Sequence, residues 1–88
     1  MSAAPHPEVV EEEGIYVLLH RMAAIDHRRT ATVLEEMRER LGRNGTSMDE
    51  WNALITSASH HRLESWRRDR AAGSSDDEAA LAMGQKQR

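Results

Sequence analysis

Residues 15 to 37 read Ile-Tyr-Val-Leu-Leu-His-Arg-Met-Ala-Ala-Ile-Asp-His-Arg-Arg-Thr-Ala-Thr-Val-Leu-Glu-Glu-Met, with no proline or glycine among them. At about 100° per residue, Leu18, Leu19, Met22, Val33 and Met37 fall within about 60° of Ile15. That spacing predicts an amphipathic helix with one apolar stripe. Upstream only Gly14 interrupts as far as Val9, and the seven residues Met-Ser-Ala-Ala-Pro-His-Pro before Glu8 are small or helix-breaking. Residues 1–8 are therefore expected to form a disordered lead. Downstream, Gly42 suits a helix terminus because it takes left-handed backbone without steric cost. Arg38, Arg40 and Arg43 put cations at the negative end of the helix dipole. The first helix is thus expected over about 9–41.

Gly42 opens a turn over 42–47, through Arg43-Asn44-Gly45-Thr46, into Ser47-Met48-Asp49-Glu50. This is the pattern of a capping box, in which the serine hydroxyl accepts the third amide and the glutamate reaches back. A second helix is expected over about 48–72. Its apolar face starts with Met48, Trp51, Leu54, Ile55 and Ala58, and after Thr56-Ser57-Ala58-Ser59 its character turns basic. Two readings of 56–59 stay open. In one the helix continues, Leu63 and Trp66 pack onto the first helix, and the arginines form a solvated face with Glu64 and Asp69. In the other 56–59 is a turn. Gly73 and Ser74 end the hairpin, and Ser75 can cap a short helix from Asp76 to Met83, so 73–88 reads as a flexible acidic tail carrying that helix. The fold class predicted is all-α: an antiparallel helical hairpin over 9–72 with a short C-terminal helix. Two helices alone leave part of each stripe wet, so dimerisation into a four-helix bundle is expected to complete it.

Composition explains why completion is needed. The chain has 88 residues, 39% hydrophobic and 3% aromatic, and twelve of the hydrophobic residues are alanine. That is material for one small domain with a thin core. With no cysteine, neither disulfides nor thiolate metal sites can reinforce it. The formal net charge of −3 conceals an uneven distribution. Glu8, Glu11, Glu12 and Glu13 precede a middle segment, Gly14 to Ala72, with ten arginines against eight acids, and Asp76, Asp77 and Glu78 follow it. An anionic partner is therefore compatible with the sequence. Eleven of the twelve basic residues are arginine, whose planar fork suits carboxylate and phosphate. The longest apolar run, Ile15 to Leu19, falls far short of a membrane span, and no basic segment leads into an apolar one at the N-terminus. A cytoplasmic location without membrane contact is expected.

Catalytic constellations are missing. There is no Gly-x-Ser-x-Gly elbow, no cysteine nucleophile, and the single lysine, Lys86, stands near the end of the chain. Glu35 and Glu36 sit among Arg38, Glu39 and Arg40 in the manner of a solvated helix face. A hairpin of this size is expected to lack a water-excluding pocket of about 300 Å³ unless several chains contribute. The five histidines are poorly spaced for metal: His20 and His27 are about 10.5 Å apart along a helix, and His60 and His61 diverge, leaving Glu64 as part of a two-ligand site at most. Neither an enzyme, a metal site nor a cofactor is expected.

The candidate site is the stripe itself. Asp26 and Arg29 interrupt it, about 20° and 40° to either side of Ile15, and at three residues' separation they can pair. Charges on an otherwise apolar face mark either its rim or a specificity device, in which Asp26 of one chain meets Arg29 of another. Ile15, Leu18, Leu19, Met22, Asp26, Arg29, Val33 and Met37 are accordingly the expected interface of a small interaction or regulatory protein that binds a protein partner or itself. A second possibility concerns nucleic acid. The run Ala58-Ser59-His60-His61-Arg62-Leu63-Glu64-Ser65-Trp66-Arg67-Arg68 resembles the second helix of bacterial helix-turn-helix regulators, with Ser57 where such turns carry glycine. The resemblance implies a DNA-binding regulator contacting the major groove and phosphates with His60, His61, Arg62, Arg67, Arg68 and Arg70. A third possibility is an accessory subunit of a larger enzyme, which an exposed apolar stripe could equally serve.

Overall fold

The computed structural model of the chain describes residues 7–42 and 46–87, with side chains from Gly14 onward. Its elements are α1 (Pro7–Leu41), α2 (Met48–Ala71) and α3 (Asp76–Met83), with no strand among the described residues. α1 starts two residues earlier than expected, at a proline, which is tolerated in a first helical turn because its missing N–H has no partner there anyway. Residues 1–6 of the expected lead, and Arg43, Asn44 and Gly45 of the turn, lie outside the described residues.

The local signals that end and start the helices act as their chemistry requires. Gly42 has φ 55° and donates its N–H to the Arg38 carbonyl at 3.1 Å, closing α1. The Ser47 hydroxyl accepts the Glu50 N–H at 3.1 Å and starts α2, which is the serine half only of the capping box expected there. At α3 both halves of a capping box form: the Glu78 N–H donates to the Ser75 hydroxyl, and the Ser75 N–H donates to the Glu78 carboxylate. The Ser75 N–H donated to it, and the Ser75 hydroxyl beside it, hold the Glu78 carboxyl below its usual range. Gly73, at φ 104°, supplies the left-handed residue that turns the chain from α2 into α3.

α1 and α2 pack antiparallel, through small residues rather than through the apolar stripe. The fully buried apolar side chains of the hairpin are Ala24 and Ala31 on α1 and Ala58 on α2, with Ser65 beside them on α2. On the helical wheel Ala24 and Ala31 stand about 160–180° from Ile15, so the seam lies opposite the apolar stripe. Small side chains at seven-residue spacing, Ala24 with Ala31 and Ala58 with Ser65 and Ala72, let the two backbones approach closely. Leu63, expected to pack onto the first helix, is instead exposed because it stands about 140° from Ala58 on α2; Trp66 is half-buried.

Of the two readings of 56–59, the continuous helix is the one that forms. These residues are helical and sit inside an uninterrupted α2 of 24 residues. The turn that a helix-turn-helix requires is absent. Ala58 is fully buried in the seam with α1, so packing favours the helix there, and the exposed Thr56 hydroxyl donates back to the Asn52 carbonyl at 3.1 Å.

α3 folds back along the hairpin. Ala79 is buried, and Arg62 of α2 donates from Nη1 to the carbonyls of Met83 at 2.7 Å and Gln85 at 2.8 Å, neutralising the negative end of α3. Past it, the Gln87 N–H donates to the Thr32 hydroxyl of α1 at 3.0 Å. The segment read as a flexible tail therefore carries a helix seated on α2 and, past that helix, a bond to α1.

Candidate functional site

α1, with 35 residues, is longer than α2, with 24. His20 and Arg21 already face Arg68 and Asp69 near the end of α2, so the part of α1 before them projects past the hairpin. Every residue from Gly14 to Leu19 is exposed. Together with Met22, Val33 and Met37 they form a continuous outer surface: Ile15, Leu18, Leu19, Met22, Val33 and Met37 are between 41% and 58% exposed. Asp26 and Arg29 lie on the same surface, their side chains 73% and 56% exposed and 3.8 Å apart. The structure thus brings all eight expected interface residues to the face of α1 that turns away from α2.

The inner face is polar where the outer one is apolar. Arg28 Nη1 donates to Asp69 Oδ2 at 2.7 Å, with both residues buried, and Arg21 adds a bond to Asp69 Oδ1 at 3.3 Å and another to the Ser74 hydroxyl at 2.6 Å. Further along, Arg62 grips Glu35 with two bonds, 2.9 Å from Nε and 2.5 Å from Nη2. Those bonds hold the Glu35 carboxyl below its usual range and raise the Arg62 guanidinium, against the opposing effect of burial on each. Near the hairpin turn, the Arg38 guanidinium lies 3.4 Å from the centre of the Trp51 ring, a cation–π contact.

His27 and His61 meet across the seam with their Nδ1 atoms 2.9 Å apart, one donating and the other accepting. Burial lowers the His27 pKa, and the neighbouring His61 lowers it further. Residue spacing within either helix could not reveal this pair, since the two belong to different helices and only the antiparallel register joins them. Among the described residues no three of histidine, aspartate and glutamate converge as a group able to hold a metal ion.

The six residues expected to meet nucleic acid do not make one free cationic face. Arg62 points inward to Glu35 and α3, and His61 to His27. Arg67 is paired with Glu64 at 2.5 Å, and Arg70 bonds Asp76 at 2.9 Å and the Ser74 carbonyl at 2.8 Å. Arg68 reaches His20 at 3.3 Å, and His60 is exposed with its ring against His61.

Where the end of α3 meets the hairpin there is a depression of about 360 Å³ lined by Glu35, Arg38, Glu39, Ile55, Arg62, Gly84 and Lys86. Gly84 and Lys86, which follow α3, supply its third wall. It is partly open, and Glu35 and Arg62 on its wall already satisfy each other. No helix among the described residues is long and apolar enough to cross a membrane. No protein-family model matches the chain, and comparison with curated proteins and with solved structures gives no match.

Proposed function

We propose that this chain is a non-enzymatic protein–protein docking module that offers the outer face of α1 to another helix. One observation carries the reading: six large apolar side chains in helical register stand 41% to 58% exposed on a single face, although the molecule has few large apolar residues to bury anywhere. An exposed apolar stripe of this kind on a small chain, broken only by the Asp26–Arg29 pair, favours association. The inner seam supports the same reading, because alanines and ion pairs hold the hairpin without drawing on the stripe.

The test is photo-cross-linking in cells that express the chain, with a photoreactive residue at Met22 or Val33 on the stripe, and at Arg67 on the outer side of α2 as control. Discrete adducts from the two stripe positions and none from Arg67 are expected. Equal adduct formation at all three positions would overturn the reading.

A further inference from the structure

The stripe is nearly its own mirror in sequence. Ile15, Leu19, Met22, Asp26, Arg29 and Val33 follow one another at steps of four, three, four, three and four residues, the alternation by which two helices meet along one seam. Reversing the series about the midpoint between His27 and Arg28 sends Asp26 to Arg29, Met22 to Val33 and Leu18 to Met37. In these three pairs acid goes to base and apolar to apolar, while Leu19 and Ile15 at the end of the series go to Glu36 and Arg40. We propose that the occupant of the stripe is a second copy of this chain, lying antiparallel across a two-fold axis level with residues 27 and 28. This rests on the reading of the stripe as a docking face.

Charge selects the direction. In a parallel, in-register pair Asp26 would face Asp26 and Arg29 would face Arg29, setting like charges together in the middle of an apolar contact. In the antiparallel register each Asp26 faces Arg29 of the second copy, twice by symmetry. Within one chain the two side chains are 3.8 Å apart and well exposed, so their loose pairing leaves both able to reach across. Met22 then meets Val33 of the second copy on both sides of the charged centre, and Leu18 comes level with Met37. At the ends Leu19 and Ile15 come level with Glu36 and Arg40, themselves paired at 3.9 Å, whose methylene stems can cover apolar neighbours. From Ile15 to Arg40 the contact runs about 38 Å at 1.5 Å per residue.

The placement of the seam determines the architecture of the pair. Because Ala24 and Ala31 face α2 from the opposite side of α1, the four long helices would lie in one layer in the order α2, α1, α1, α2. The four-helix assembly expected from the sequence would then be a flat layer.

The chain has no cysteine, so introduced thiols report the register cleanly. The double variant Met22→Cys/Val33→Cys is expected to give a covalent dimer under mild oxidation. Met22→Cys alone should give none, since the two copies of position 22 would lie about 16 Å apart along the axis, beyond the roughly 7 Å between Cα atoms that a disulfide spans. Light scattering at about 100 μM, above a micromolar Kd, should report twice the chain mass. Asp26→Arg and Arg29→Asp should each be monomeric alone, and their mixture should recover the dimer mass because opposite charges then face at both central positions.

A covalent dimer from Met22→Cys alone, or a double variant that stays uncross-linked while the mass is doubled, overturns the antiparallel register. A one-chain mass for the unmodified protein at that concentration overturns self-association. In that case adducts with another protein from Met22 and Val33 in the photo-cross-linking experiment would leave the docking function standing, whereas their absence would remove both.

Discussion

The two sides of α1 solve opposite problems with opposite chemistry. Inside, where it meets α2, alanines and serine allow close approach, and the charges of Arg28 and Asp69 are buried together. Outside, leucine, isoleucine, methionine and valine stand in solvent beside a loose Asp26–Arg29 pair. The difference teaches that in this chain hydrophobicity and burial are separated. The fully buried positions are filled by small residues and paired charges, while Ile25, Leu34, Leu54 and Ile55 are only half-buried and the stripe residues are exposed. Substitutions should therefore damage folding in an order that hydropathy alone would reverse.

The largest effect is expected from Asp69→Ala, which leaves the buried Arg28 guanidinium without its carboxylate. Removing one partner of a buried pair costs about 3–5 kcal/mol, readable as a lowered midpoint in urea. The double replacement Arg28→Met/Asp69→Leu should regain most of that loss, and if it does not, the inner face depends on something other than charge pairing. Next is Arg62→Ala, which removes bonds to Glu35, Met83 and Gln85 together. At about 1.5–3 kcal/mol for charge-assisted bonds, it should destabilise the whole and accelerate amide exchange in α3 before α1. Ala58→Leu forces a large side chain into a fully buried position and should cost about 1–3 kcal/mol by overpacking, despite raising hydrophobicity.

Acid should act on the inner face as well. The His27 pKa is lowered in the folded chain, so between that value and its unfolded value of 6.5 the unfolded state binds the extra proton. Stability from this group is present above pH 6.5 and declines as pH falls through the folded pKa. His27→Gln should flatten that part of the stability–pH curve. The smallest effect belongs to the outer face: Leu19→Gln, or Met22→Gln, measured at concentrations where the chain is monomeric, should change unfolding by less than about 0.5 kcal/mol. A cost of several kcal/mol there would break the comparison, because it would mean the stripe is already part of the folded chain's own core.

Much of this architecture was legible in the sequence, and the unread part has a definite physical origin. Helix ends are written in single residues whose chemistry is local, so Gly42, Ser47 and Ser75 marked them correctly. The stripe was legible because large apolar residues recur at helical period. What periodicity could not say is which face turns inward. Counting only large side chains toward the core passed over Ala24 with Ala31, and Ala58 with Ser65 and Ala72, a seven-residue rhythm of small residues that was present to be read. Arg28–Asp69 and His27–His61 join residues far apart in sequence, and no local spacing encodes such pairs. The helix-turn-helix resemblance rested on 56–59 bending, whereas the segment is helical with Ala58 buried in the seam.

An alanine seam is smooth. Rows of small side chains offer closeness without the knobs that stop one helix from sliding along another, and a slip by one turn would cost such a surface little. The charged pairs act as detents in that track. A displacement of about 5.4 Å, one helical turn, would separate Asp69 from both Arg28 and Arg21, pull Glu35 from the fork of Arg62, and part His27 from His61. All of these would have to release together, so α1 and α2 should behave as one stiff rod, and any load applied along the outer face of α1 would pass to α2 and α3 without loss of register.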